Sequence, residues 1–165
     1  MPQLVFALAS QRQGKNMKTL NVVAAVICEG DRILATQRGY GEHKDRWEFP
    51  GGKIEPGETP REALVREIRE ELKTEIVPGE LIMTVETDYP SFHLSMQCFL
   101  CTIKEGSPVL IEHEAAKWLT YDELDSVDWL PADRLVVEEI KRILRKLGMK
   151  GEGKTYDRLE RGREN

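Results

Sequence analysis

The chain has 165 residues, of which 40% are hydrophobic and 32% charged, with a formal net charge of −5. That length supports one domain with a proper core. The acidic balance argues against binding polymeric nucleic acid by neutralising phosphates, and no apolar run is long enough for a membrane-spanning helix.

The N-terminus, MPQLVFALAS, carries an apolar patch too short for a signal-peptide core and lacks a basic region before it. Residues 1–17 are therefore expected to be a poorly ordered extension. Residues 20–28, LNVVAAVIC, form a nearly continuous β-branched apolar run, the pattern of a strand buried on both faces. A turn at Glu29-Gly30-Asp31 leads to a hairpin partner over residues 32–37, and residues 38–45 read as an irregular loop. Trp47-Glu48-Phe49-Pro50 then runs into Gly51-Gly52. In Glu55-Pro56-Gly57-Glu58, proline at the second place and glycine at the third predict a type II turn.

A helix follows with clear start signals: Thr59 as N-cap, Pro60 at the first helical position, and Glu62 completing a capping box. Leu64, Ile68 and Leu72, with Val65 alongside, form its docking stripe. Each helical residue advances about 100° around the axis, so Glu67, Glu70 and Glu71 point to one side. Such like-charged pairs are each unfavourable by roughly 0.2–0.5 kcal/mol. They also lie near the helix C-terminus, where the dipole favours cations. A hard divalent cation would reverse both signs, because it takes clustered carboxylate oxygens. The competing reading is a solvated acidic face partly neutralised by Arg66, Arg69 and Lys73.

Two more strands are expected after Pro78-Gly79, over residues 81–89 and 92–104, the second with Phe92, Leu94, Met96, Cys98 and Leu100 on one face. A loop holding Glu112, His113 and Glu114 precedes a short strand ending at Trp118-Leu119. Thr120 and Glu123 form a second capping box before a short helix. Residues 131–147 read as a long amphipathic helix (Leu135, Val136, Ile140, Ile143, Leu144, Leu147) stopped by Gly148. The charged stretch 149–165 is expected to be disordered, which makes residues 18–148 the folded domain. Cys28, Cys98 and Cys101 give no even disulfide framework. Alternation puts Cys98 and Cys101 on opposite faces of a strand, so core thiols in a reducing cytoplasm are expected.

The loop, turn and helix together resemble the Nudix box, G-x5-E-x7-R-E-U-x-E-E-x-G-U with U aliphatic. Here it reads Gly52, Glu58, Arg66, Glu67, Ile68, Glu70 and Glu71, and departs from the pattern at the end, where Lys73 and Thr74 replace glycine and the aliphatic. Arg38, the Trp47–Lys53 run and the length are similar to the MutT-type enzymes of that superfamily, over residues 20–147. The resemblance implies an α/β (α+β) fold, an α/β/α sandwich with a central mixed sheet, the box helix on one face and the C-terminal helix on the other. It implies Mg²⁺-dependent hydrolysis (Mn²⁺ as the alternative ion) of a nucleoside triphosphate to the monophosphate and pyrophosphate.

By the same resemblance Glu67, Glu70 and Glu71 are metal ligands with the Gly51 carbonyl. Glu67 activates the water, and Arg66 with Glu58 makes an orienting salt bridge. Glu112, or Glu114 in its place, adds a carboxylate. Arg38, Phe49, Lys53 and Asp133 are expected to meet the substrate, although Lys53 also reads as surface charge and Asp133 equally as the N-cap of the last helix. An ionised Asp133 would only accept hydrogen bonds, which suits the amino group of cytosine or the N7 proton of 8-oxoguanine better than plain guanine. The expected partners are a small nucleotide and, as a monomer or homodimer, at most a second copy, with no membrane and no nucleic-acid polymer. Two rival readings remain: an ADP-ribose or dinucleotide-polyphosphate hydrolase, for which Tyr89 and Pro90 are weak markers, and a non-catalytic nucleotide-binding regulator.

Overall fold

The computed structural model describes residues 17–39, 41–109, 113–146 and 155–163. The expected extension over 1–16, the helix-stopping Leu147 and Gly148, and Glu112 lie outside the described residues.

The core is a mixed sheet of β1 (Lys18–Glu29), β2 (Arg32–Arg38), β3 (Trp47–Glu48), β4 (Gly51–Lys53), β5 (Glu75–Asp88), β6 (Phe92–Glu105) and β7 (His113–Leu119). Its order is β3-β2-β1-β6-β5, with β4 added to β1 and β7 to β2. β1 is the spine and runs parallel to β6 along its length, from Lys18 opposite Phe92 to Cys28 opposite Thr102. Both faces of β1 are covered, as its continuous apolar run requires. Val22, Ala24, Val26 and Cys28 join one core cluster, and Val23, Ala25 and Ile27 the other.

The other edge of β1 is divided. Only Cys28 and Glu29 pair with β2, whereas Val22, Val23 and Ala24 pair with Lys53, Gly52 and Gly51 of β4. β2 and β1 therefore diverge, and Glu48-Phe49-Pro50 crosses the gap from one to the other. Ala25 closes the crossing by donating its N–H to the Pro50 carbonyl at 2.8 Å. Gly51 is required here, because a Cβ would stand 1.9 Å from the Val23 carbonyl oxygen.

Helix α1 (Pro60–Leu72) covers one face through Ala63, Leu64, Ile68 and Leu72. Its start follows expectation: the Thr59 hydroxyl accepts from the Glu62 N–H at 3.1 Å and Glu62 accepts from the Thr59 N–H at 2.9 Å. The preceding turn closes with Glu58 N–H to Glu55 O at 3.1 Å, with Gly57 at φ 86°. Helix α2 (Pro131–Lys146) covers the other face through Ala132, Val136, Val137, Ile140, Ile143 and Leu144. Leu135, expected in that stripe, is 49% exposed instead, and Val137 takes the core position. The second capping box opens a 3₁₀ turn, Tyr121–Ser126.

Two expectations are corrected. β5 begins at Glu75 and passes through Pro78-Gly79, where register shifts let an edge strand accept proline. The charged tail also forms a third helix, α3 (Thr155–Arg163), at the far end of β1. There the Thr155 N–H donates to Gly30 O at 2.8 Å and Leu159 is buried in the α2-side core. Cys98 and Cys101 do face opposite clusters, and burial pushes the Cys28 thiol up to about 12.

The departure from the box at the exit of α1 also has a geometric form. Lys73 adopts the left-handed cap (φ 52°, ψ 37°) that glycine takes without cost, and its N–H donates to Arg69 O. Thr74 is fully buried with its hydroxyl on the Leu72 carbonyl at 2.9 Å. Lys73→Gly is expected to stabilise the fold by about 0.5–1 kcal/mol, relief of the left-handed strain being partly offset by the freer unfolded chain. Urea denaturation measures this, and a loss of stability would mean that the lysine side chain contributes more than its backbone strain costs.

Candidate active site

The site has two halves, an acidic helix face and an apolar pocket, joined by the Glu48–Lys53 crossing. On the acidic half, Arg66 is the hub. It grips Glu58 in a two-pronged ion pair, Nε to Oε2 at 2.6 Å and Nη2 to Oε1 at 2.9 Å. Nη2 also donates to the Lys53 carbonyl at 3.0 Å, which ties α1 to β4. Nη1 donates to Glu67 Oε1 at 3.0 Å and Glu70 Oε2 at 3.3 Å. The hydrogen bonds from Arg66 hold the Glu58 carboxyl below its usual range. Thus the expected Arg66–Glu58 salt bridge forms and, in addition, reaches two of the three carboxylates.

Glu67 and Glu71 are buried, at 4% and 3% exposure, while Glu70 lies at the rim with a side chain 58% exposed. Carboxylates taken from water this way demand a compensating charge. In kind, this donor set fits a hard divalent cation. Among the described residues, however, no three such side chains already form a closed metal cage. Arg66 occupies part of the space between Glu67 and Glu70, so binding an ion there requires its Nη1 contacts to loosen. Lys53 is half-buried, with its carbonyl used by Arg66. Glu112 and the side chain of Glu114 lie outside what is described.

The pocket opens where β1 and β2 part. It is lined by Val22, Ala24, Leu94 and Met96 of the sheet, by Phe49 and Ala132, and by two carboxyls, Glu48 and Asp133. Phe49 is buried against Trp129 with ring centroids 4.7 Å apart. The Asp128–Leu130 segment is laced to Trp47 by Trp47 N–H to Asp128 O at 2.9 Å and Leu130 N–H to Trp47 O at 2.8 Å. That lacing sets the start of α2 and delivers Asp133, whose Oδ1 accepts from the Phe49 N–H at 2.9 Å.

Three expectations change. Asp133 is not an N-cap: Pro131 opens the helix, so Asp133 is its third residue and its carboxyl reaches across to Phe49. Nor is it a simple anion. Burial, reinforced by the charge of Glu48, pushes Asp133 up to about 8, against the opposing pull of Phe49 N–H and Arg38. At neutral pH its second oxygen therefore carries a proton and can donate as well as accept. Arg38, expected to meet the substrate, is completely buried instead. Its Nη2 lies 2.8 Å from Glu48 Oε2, and its Nη1 donates to Glu42 O at 3.3 Å.

Glu48 belongs to the Trp47–Lys53 run, but its place in the sequence alone assigns it no functional role. It is 2% exposed, and its Oε1 is buried with no hydrogen-bond partner among the described residues. The available signal was a carboxylate between two aromatics just ahead of the glycines, with an arginine ten residues earlier on what becomes the neighbouring strand.

Comparison with known proteins gives the family and the fold. The NUDIX domain model matches residues 17–145, and the chain belongs to that family. It is a hydrolase of MutT-like type, from a family in which dependence on divalent metals is general. It is 34% identical over 129 residues to an 8-oxo-dGTP diphosphatase of Escherichia coli, covering 77% of this chain and all of the relative (100%). It is 35% identical over 123 residues to a CTP pyrophosphohydrolase of Escherichia coli, covering 74% and 91%. The solution structure of the E. coli ORF135 protein superposes with a TM-score of 0.70 at 33% identity, covering 82% of this chain and 96% of that one.

The raised value of Asp133 predicts a pH dependence of stability. Between about pH 4 and about pH 8 the folded chain keeps a proton that the unfolded chain has lost. The contribution of Asp133 is thus complete at low pH and declines as pH rises through that window. Asparagine still accepts from Phe49 but cannot ionise. Asp133→Asn should therefore gain on the parent chain by up to about 1.4 kcal/mol per pH unit across the window, read from urea midpoints at each pH. Parallel pH profiles for the two proteins would mean that Asp133 is already ionised in the fold.

Proposed function

We propose that this chain hydrolyses (deoxy)nucleoside triphosphates to the monophosphate and pyrophosphate, using Mg²⁺ (Mn²⁺ as the alternative), with modified or cytosine nucleotides as the preferred class. The observation that carries the reading is the junction of the two halves. The crossing strand that forms the pocket wall with Glu48 and Phe49 continues, within five residues, into the Gly51–Lys53 strand that Arg66 ties to the acidic helix. A base seated in the pocket has its phosphates directed toward Glu67, Glu70 and Glu71.

Phosphoryl transfer is mainly a matter of positioning and charge neutralisation. A bound divalent ion supplies neutralisation of the phosphate oxygens and a more acidic water. Glu67, Glu70 and Glu71 are the residues that would hold it, with the Gly51 carbonyl. Glu67, buried and hydrogen-bonded by Arg66, takes the proton of the attacking water. Arg66 keeps the carboxylates aligned through its grip on Glu58 and Lys53. Phe49 offers its ring to the base, Asp133 hydrogen-bonds its edge, and Lys53 meets a phosphate.

The substrate names of the two Escherichia coli relatives, 8-oxo-dGTP and CTP, support a nucleoside triphosphate rather than ADP-ribose. They also agree with a pocket whose polar groups both donate and accept. The chain works in the cytoplasm as a monomer or homodimer, in keeping with its three buried free cysteines.

Glu70→Gln is expected to reduce Mg²⁺-dependent turnover at least about 100-fold, while the fold stays as stable or gains a few tenths of a kcal/mol from the lost repulsion. Unchanged turnover would reject the acidic helix as the reactive site. Hydrolysis of ADP-ribose without hydrolysis of any triphosphate would reject the substrate class.

A further inference from the structure

Arg38 lies behind the pocket rather than in it. Its guanidinium is fully buried and bonded to Glu48 Oε2, while the other oxygen of Glu48 is buried with no hydrogen-bond partner among the described residues, in a carboxyl that lines the cavity. Asp133 lines the same cavity, with Oδ1 already engaged by the Phe49 N–H. We propose that Arg38 is a positioning residue acting through Glu48: by anchoring Glu48 as an acceptor-only carboxylate next to the Asp133 carboxyl, it sets which polar position of the pocket accepts and which donates. This rests on the reading above that the nucleobase occupies this pocket.

The physical basis is the distribution of one proton between two adjacent carboxyls. Two buried carboxyls in contact with one cavity do not both stay ionised. The groups facing Asp133 are Glu48 of β3, Arg38 of β2, Tyr89 at the end of β5 and Cys98 of β6. Arg38 is the only cation among these four named groups, and of the two carboxyls it is Glu48 that its Nη2 bonds, at 2.8 Å. Burial raises both carboxyls, but the charge and the hydrogen bond of Arg38 pull Glu48 back down, which favours the charge on Glu48 and the proton on Asp133. The pocket then presents an acceptor and a donor in a fixed order.

Fixed order is what distinguishes cytosine from uracil. The two rings have the same shape, but cytosine offers an amino donor beside an acceptor nitrogen, and uracil a carbonyl acceptor beside an N–H donor. With the sugar held toward the acidic helix the ring enters in one orientation, so one of the two matches and the other places like against like. Without Arg38, Glu48 becomes a neutral carboxyl whose hydroxyl rotates to suit either ring.

The test is calorimetric binding of dCMP and dUMP without metal, which reads the base pocket separately from catalysis. The parent chain should discriminate between them by about tenfold or more at neutral pH, and the ratio should fall above about pH 8 as Asp133 loses its proton. Arg38→Gln should bring the ratio within about threefold, while Arg38→Lys keeps most of it. Equal weakening of both ligands by Arg38→Gln, with the ratio intact, overturns the proposal, because that is the behaviour of a structural or phosphate-contacting residue. Glu48→Gln, alone and combined with Arg38→Gln, tests the same link, and the double variant does so without a buried unpaired charge. If Arg38 acts through Glu48, the double variant matches Glu48→Gln, and a further change of ratio in the double overturns the inference. A ratio altered by Glu48→Gln but not by Arg38→Gln sinks this inference alone. A ratio altered by neither removes the base from this pocket and overturns both.

Discussion

A single guanidinium holds the acidic half of the proposed site together. Arg66 binds Glu58 from the turn, the Lys53 carbonyl from β4, and Glu67 and Glu70 from its own helix. Without it, the acidic side of α1 would carry like charges near the end of a helix whose dipole favours cations. With it, the helix, the turn and the glycine strand become one rigid unit. The price is that the carboxylates begin partly neutralised by protein, so a cation bound there as proposed would compete with Arg66 for Glu67 and Glu70. Such competition favours an ion arriving with phosphates over an ion alone, since the phosphate oxygens complete its shell.

The second constraint is the divided edge of β1. A strand that pairs with β2 at one end and β4 further along necessarily opens a gap between those partners. The chain fills the gap with Glu48, Phe49 and Pro50, and the pocket is what remains. Gly51 allows β4 to come close enough for the two halves to meet, because no side chain fits against the Val23 carbonyl. The lacing of Asp128–Leu130 to Trp47 then places α2, so a helix from the far end of the sequence contributes Asp133. Fold and site are in this sense one piece of geometry.

What was legible in the sequence was what is local. The capping box at Thr59, the turn at Gly57 and the carboxylates at Glu67, Glu70 and Glu71 depend on residues within one or two helical turns of each other. The two-sided burial of β1 was equally plain from its apolar run. The Arg38–Glu48 ion pair was not, because it depends on β2 and β3 being neighbours with Thr36 opposite Glu48. The protonation of Asp133 was hidden for a related reason: desolvation comes from β1, β6 and Phe49 packing around it, and no window of sequence reports that. α3 was misread because it is short and highly charged. It docks through a few contacts, Leu159 in the core and Arg158 on the Leu144 carbonyl at 3.4 Å, rather than through an apolar stripe.

In the proposed reaction the pocket and the acidic helix act on one molecule, and the bond broken lies between the first and second phosphates. Phosphorus NMR of the products from CTP and from 8-oxo-dGTP with Mg²⁺ tests it most directly. The result expected is a nucleoside monophosphate and pyrophosphate in equal amounts. A nucleoside diphosphate with inorganic phosphate would contradict it, because the bond broken would then be the one between the second and third phosphates.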